Sequence, residues 1–242
     1  MKSTLLEIVQ SILSDMDAEE VTTLSDTVEA TQIASVVQDT FYNIISGREI
    51  PEHRKLVNLT SLSSSVKPTH FTYPANLKGL TKISYNITVG ATPDWRTIKY
   101  VQPDYFLENM DETDLGVDTV SGGVRIYVGT TAMPSYYTSF DDYHIIMDSY
   151  VLLEEANLQA SKTRAYITEF PTFSQTDAHV PDLDETLFPY LLAEAKSTCF
   201  SLFKSGTDPK IEQAARRLKS YIRNDLHKTK EANNKGKAGY GR

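Results

Sequence analysis

The sequence is short of the residues on which several functions depend. It has one cysteine, Cys199, so no disulfide forms within the chain and a reducing compartment suits it. No apolar run approaches the ~18–20 residues of a membrane span, which argues against a membrane partner. At the N-terminus, Glu7 and Gln10 interrupt the apolar stretch after Lys2 and no small-residue cleavage site follows, so no secretory signal is expected. Phosphate loops of the G-x-x-x-x-G-K-[ST] and G-x-G-x-x-G types are missing, and Gly122-Gly123 stands alone. There is no G-x-S-x-G elbow to organise a hydrolase triad. Asp15, Asp17, Glu19 and Glu20 crowd one turn but lack the glycine and glutamate of a calcium loop, and read as a solvated turn. His144 stands near Asp141 and Asp142 with no second His or Cys at ligand spacing, which favours an ordinary strand histidine over a metal or acid–base centre. No catalytic residue, metal or cofactor is therefore expected.

What is present is ordinary in bulk and uneven in distribution. The 242 residues are 40% hydrophobic and 23% charged, as in soluble globular proteins, and one domain is preferred to two. A chain of this length buries roughly 70–75% of its unfolded surface and needs no staple. The net charge is −8, but residues 214–242 hold nine basic and two acidic residues, a net of +7. Residues 1–213 hold 15 basic against 30 acidic, a net of −15. An acidic body with a basic end implies two surfaces with different partners.

Taken in order, the chain reads helix, strand, helix. Thr4-x-x-Glu7 has the pattern of a capping box, and Leu5, Ile8 or Val9, Ile12 or Leu13, and Met16 are expected to share one face of a helix over 4–16. A second helix is expected over 27–46, capped by Asp26-x-x-Glu29, striped by Ile33, Val37, Phe41 and Ile44, and stopped by Gly47. Prolines 51, 68, 74, 93, 103 and 134 then break any long helix. Strands are expected over 82–89, 97–101, 117–120, 124–128, 136–140, 143–147 and 164–170, with one helical turn after Pro103. Ser121-Gly122-Gly123 and Asp141-Asp142 mark hairpins. Trp95, beside Pro93 and Asp94, reads as a core plug rather than an interface anchor.

Helix returns after Pro181. Asp182 or Asp184 starts it, Pro189 lies in its first turn or marks its true start, and Leu187, Leu191 or Leu192, Ala195, Cys199 and Leu202 or Phe203 make its stripe. Cys199 reads as a small core residue. Asp208-Pro209 opens a last helix, with Ile211, Ala214 or Ala215, Leu218 and Ile222 facing inward. From His227 the tail HKTKEANNKGKAGYGR is too polar to order alone; it reads either as a floppy tail or, in preference, as an arm that orders on a partner, with Tyr240 between Gly239 and Gly241 as its anchor.

Several stretches resemble one family, the head-to-tail adaptors of short-tailed bacteriophages, of the tail tubular protein A-like kind. PSYYTSFDDYHIIMDSY (134–150) resembles a hairpin of these adaptors, and LQASKTRAYI (158–167) the strand after it. PDLDETLFPYLLAEAKSTCF (181–200) and EQAARRLKSYIRND (212–225) resemble their closing helices, and the two N-terminal helices fit the family's opening. The resemblance covers most of the chain and is weakest over 57–116. It implies an α+β fold: a helical bundle from residues 1–50 and 181–226, an antiparallel β domain inserted over 51–180, and a C-terminal arm over 227–242. It implies a ring, usually of twelve copies, docked beneath the portal protein in the virion, with the tail nozzle protein on its other face. Genomic DNA passes through without specific binding, and synthesis is in the host bacterial cytoplasm. Portal contacts then fall on Arg216, Arg217, Arg223, Lys228, Lys230, Lys235, Lys237, Tyr240 and Arg242. A neck or tail-completion protein of a long-tailed phage fits the same logic. A DNA-binding module using the basic tail, and an enzyme built around Asp141, Asp142 and His144, are the readings from other classes.

Overall fold

The computed structural model describes residues 2–47, 50–62, 67–86, 92–109, 119–121, 124–129, 133–141, 143–150, 162–204, 209 and 211–220. The chain divides into two units, residues 1–52 with 171–242 and residues 53–170. The class is mixed α+β, with five helices and a large mixed sheet among the described residues. No described helix is long and apolar enough to cross a membrane.

In the first unit, helix α1 (Leu5–Asp15) starts as its sequence dictates. The Thr4 hydroxyl accepts from the Glu7 N–H at 3.3 Å, and the Glu7 carboxylate accepts from the Thr4 N–H at 2.9 Å. Two further first-turn N–H groups, of Leu5 and Leu6, donate to the carbonyls of His179 and Asp177 at 2.7 and 3.3 Å. Helix α2 (Val28–Ser46) is capped by Thr27, whose hydroxyl accepts from Ala30 N–H at 3.0 Å. Asp26, the expected cap, instead takes the N–H and hydroxyl groups of Thr22 and Thr23, which hold its carboxyl well below the usual range. Gly47 ends α2 at φ −78°, where any residue fits.

Helix α4 (Phe188–Phe203) packs against α2 and α1. It starts later than Asp182 or Asp184 suggests. Leu187 is its cap position, with no side-chain bond, and Pro189 falls in the first turn. Asp184 bonds the Thr186 hydroxyl instead. The core joins Leu5, Ile8 and Ile12 of α1, Ile33, Val37 and Phe41 of α2, and Leu191, Ala195 and Cys199 of α4, all nearly sealed from solvent. Residues 171–180 belong here because Phe173 packs on Phe41, ring centroids 5.2 Å apart, and on His179, 4.5 Å apart. Lys196 of α4 meets Asp15 of α1 at 2.5 Å.

The second unit is a sheet of eight strands in the order β1-β10-β4-β5-β8-β9-β3-β2. They are β1 (Arg54–Val57), β2 (Thr60–Ser61), β3 (His70–Thr72), β4 (Leu77–Asn86), β5 (Trp95–Tyr100), β8 (Tyr136–Thr138), β9 (His144–Met147) and β10 (Thr163–Glu169). A separate pair joins β6 (Thr119–Ser121) to β7 (Val124–Ile126) across Gly122-Gly123, and α3 (Pro103–Asn109) follows Pro103. The expectation of a purely antiparallel domain needs correction, because β5 pairs β8 in parallel, Lys99 with Tyr136 and Tyr100 with Tyr137. The connection between them contains α3, β6 and β7, and so is long enough for the crossover that a parallel pair demands.

One face of the sheet buries Phe71, Ile83, Ile98, Ile145, Ala165 and Ile167. Across β9 the next residue, Ile146, points the other way and packs with Phe106 and Ile126. Coverage on both faces explains the unbroken apolar run IIM in that strand. Trp95 is not a core plug: it is half-buried, with the Arg164 guanidinium 4.2 Å from its ring centre.

Candidate functional site

Of the nine residues assigned to portal contact, Arg216 and Arg217 lie within the described residues. Both sit on the helical stretch 211–220 and both are exposed, as is Lys219, while Ala215 is buried and Ile211 and Leu218 are half-buried. Helical spacing accounts for this: 211, 215 and 218 fall on one face and the bases on the other. Of the two alanines offered for the inner face, Ala215 takes it and Ala214 is exposed. Arg216 is paired with Glu212 one turn earlier, both in contact with solvent. Such a pair contributes at most a few tenths of a kcal/mol, roughly 0.3–0.5, and orients the guanidinium more than it anchors the helix. Arg223, Lys228, Lys230, Lys235, Lys237, Tyr240 and Arg242 lie outside the described residues.

The cluster around His144 is better defined. Asp141 closes the turn between β8 and β9: its Oδ1 accepts the N–H groups of Tyr143 at 3.0 Å and His144 at 2.8 Å, and its Oδ2 meets His144 Nδ1 at 2.5 Å. Partial burial works to raise the Asp141 carboxyl, but the His144 ring and the two N–H groups outweigh it and hold the group below its ordinary value. His144 is thus a histidine satisfied by a neighbouring carboxylate. Asp142, the third member expected there, lies outside the described residues.

The partner that sequence reasoning missed is His70. Its ring lies 5.9 Å from that of His144, centroid to centroid. The register explains it: Thr72 opposes His144 and His70 opposes Ile146, so His70 and His144 are diagonal neighbours on one face. His70 is 1% exposed, and neither ring nitrogen has a hydrogen-bond partner. Burial, then the charges of Lys67 and His144, push its pKa down to about 4 against the weaker pull of Asp141. In the same row, Thr138 opposes Ile146 from the other side, and its hydroxyl is also buried without a partner. Only a histidine beside β-branched and aromatic residues, THFTY, hinted at this position.

Chemically, an aspartate-oriented histidine is half of an acid–base apparatus, and a nucleophile or metal would be the other half. No described serine or cysteine bonds to His144, and among the described residues no group of three His, Cys, Asp or Glu is placed to hold a metal. Cys199 is buried in the helical unit, where burial and then the charge of Glu29 push its thiol up to about 12. That makes it inert, as expected of a core residue. Neither a protein-family model nor a curated protein matches the chain.

Proposed function

We propose that this chain is a structural virion protein, a head-to-tail adaptor of the tail tubular protein A-like kind. In this reading it forms a ring of about twelve copies between portal and tail nozzle and lines the DNA exit channel. The supporting observation is the order of the units. Helices near both ends of the sequence pack together as α1, α2 and α4, and a β-rich unit occupies the sequence between them. The residues 211–220 would complete a bundle with those three, and 227–242 would leave it as the arm.

The work of such a ring is mechanical. Neighbouring copies meet through different faces, so a closed rotation makes a ring. The acidic body, −15 over residues 1–213, gives a channel few cations with which to replace phosphate counterions, and DNA slides through without sticking. The basic end, +7 over residues 214–242, is the complementary surface for a portal, starting from the exposed Arg216 and Arg217.

Native mass spectrometry of the chain, alone and mixed with its portal ring, tests this. A stoichiometric portal-bound ring is the expected result, and a truncation lacking 227–242 should stay folded yet fail to dock. Absence of association under salts that preserve the portal ring would sink the adaptor reading. Binding to nucleic acid that falls steeply with salt would then favour the DNA-binding module.

A further inference from the structure

Half of the sheet turns a basic face to solvent. Strands β1, β10, β4 and β5 lie side by side and run antiparallel. Their register fixes which residues share a face. Leu56 opposes Tyr166 and Tyr166 opposes Lys82, while Arg164 opposes Ser84 and Ser84 opposes Thr97. Arg54 stands two residues from Leu56, and Trp95 and Lys99 stand two from Thr97, so they join the same face. The opposite face buries Ile83, Ile98, Ala165 and Ile167. Glu169, the one acidic residue within these four strands, alternates onto that opposite face and pairs with Lys55 at 2.5 Å. The charged residues that the strands place on the outward face are therefore all bases: Arg54, Lys82, Lys99 and Arg164. Lys82 and Lys99 are exposed, and Arg164 lies on the Trp95 ring. Leu56, 66% exposed, and Tyr166, 37% exposed, add apolar surface between them.

The helical unit carries the opposite sign. Residues 1–52 hold ten acidic and two basic residues, a net of −8. Acid is densest after α1, at Asp15, Asp17, Glu19 and Glu20, all four exposed. Lys196 takes Asp15. The turn that carries the other three is fixed in shape. The N–H groups of Asp17 and Ala18 donate to the carbonyls of Ser14 and Leu13 at 3.2 and 3.0 Å. The Gln10 side-chain amide donates to the carbonyl of Val21 at 2.8 Å, and Val21 itself is buried.

We infer that the outward face of β1, β10, β4 and β5 is a docking surface, and that its occupant is the acidic α1–α2 turn of a second copy of this chain. The two are alike in size. Lys82, Lys99 and Arg164 stand on three adjacent strands and span two strand spacings, about 10 Å. Asp17 and Glu20 are three residues apart and reach at most about 10 Å. Face and turn are both held by backbone hydrogen bonds, so neither loses much freedom on meeting. Each exposed ion pair is worth little alone. Leu56 and Tyr166 supply the apolar contact that charge lacks, and the charges set orientation and partner. Nucleic acid is the other polyanion that bases attract, but it is long, and beyond this face it would lie against a body of net −15. Face and turn are different surfaces, so association is head to tail. The inference names a subunit contact for the ring and rests on the adaptor reading only in needing a second copy.

The test is sedimentation velocity of the full chain and of two charge reversals, Lys82→Glu/Lys99→Glu on the face and Glu19→Lys/Glu20→Lys on the turn. The wild type should associate as its concentration rises, and less so at high salt. Each reversal alone should weaken association by about tenfold or more with unchanged circular dichroism. An equimolar mixture of the two should recover it, because each protein then offers a complement to a surface of the other. Mixing two damaged proteins would not cure a folding defect. The neutral pairs Lys82→Gln/Lys99→Gln and Glu19→Gln/Glu20→Gln should act in the same direction and more weakly. A wild type that stays monomeric throughout, association indifferent to either reversal, or a mixture that fails to recover overturns the contact. So does a face reversal that abolishes binding of a single-stranded oligonucleotide and leaves association unchanged. A portal-bound ring that forms equally well from either reversed protein would sink the contact and leave the adaptor reading standing. Association that follows the charge reversals, with no portal binding, would do the reverse.

Discussion

Acidification should weaken the β unit through His70, and a single substitution should abolish that response. The imidazole is sealed in the sheet with both nitrogens unpartnered, and its pKa falls from 6.5 to about 4. Between these values the unfolded chain holds the proton and the folded one does not. Stability from this group is therefore complete above pH 6.5, declines as the pH falls, and reaches its full loss below pH 4. A gap of that size corresponds to about 3 kcal/mol in all, and to roughly 1.4 kcal/mol at pH 5.5. The groups facing the ring are His144, Asp141 and Lys67, and the Asp141 carboxyl, held below its ordinary value, titrates beneath this window. His70→Phe keeps a ring of similar shape and loses no hydrogen bond, so it should cost little at pH 7. Trp95 is the only tryptophan and lies in the β unit, so its fluorescence reports that unit during urea unfolding. The wild-type unfolding free energy should fall between pH 7 and 4.5 by about 2.5 kcal/mol more than that of the variant. Parallel pH curves for the two proteins would refute the reasoning, whatever their absolute stabilities.

Three further outcomes are expected. Thr4→Ala removes half of a reciprocal cap and should destabilise the helical unit by about 1 kcal/mol, read from thermal unfolding by circular dichroism. Arg164→Ala uncovers the ring 4.2 Å beneath it, so the Trp95 emission should shift while stability changes by under about 1 kcal/mol; an unchanged spectrum would place the guanidinium elsewhere. Cys199, with its thiol raised from 9.0 to about 12, carries about a thousandfold less thiolate than in the unfolded chain, and should react with a thiol reagent at pH 8 only as fast as the helical unit opens.

What the sequence made legible was what nearby residues decide among themselves. The cap and stripe of α1 lie within four residues of one another, and they came out as read. The start of α2 did not, because Asp26 and Thr27 are both good caps. Turn contacts with Thr22 and Thr23, three and four residues earlier, claim the first and leave the second to the helix, a choice between two local partners that spacing alone does not make. The α4 start slipped for a similar reason: Asp184 spends its carboxylate on Thr186. The short strands β1, β2 and β3 carried no pattern of their own. β1 and β3 pair with β10 and β9, far along the chain, and β2 pairs only with β3, so their existence is a property of the pairing rather than of RKLV, TS or HFT. Of the nine arm residues, the bases at 216 and 217 fell on the exposed face that helical spacing requires.

His70 was invisible in the sequence for a physical reason. In a sheet the side-chain period is two, so which residues share a face depends on register, and a shift of one residue moves a side chain to the opposite face. His70 meets His144 only because Thr72, two residues on, is the partner of His144. A lone histidine does not announce such a place, because nothing in THFTY says which strand will lie beside it or in what register.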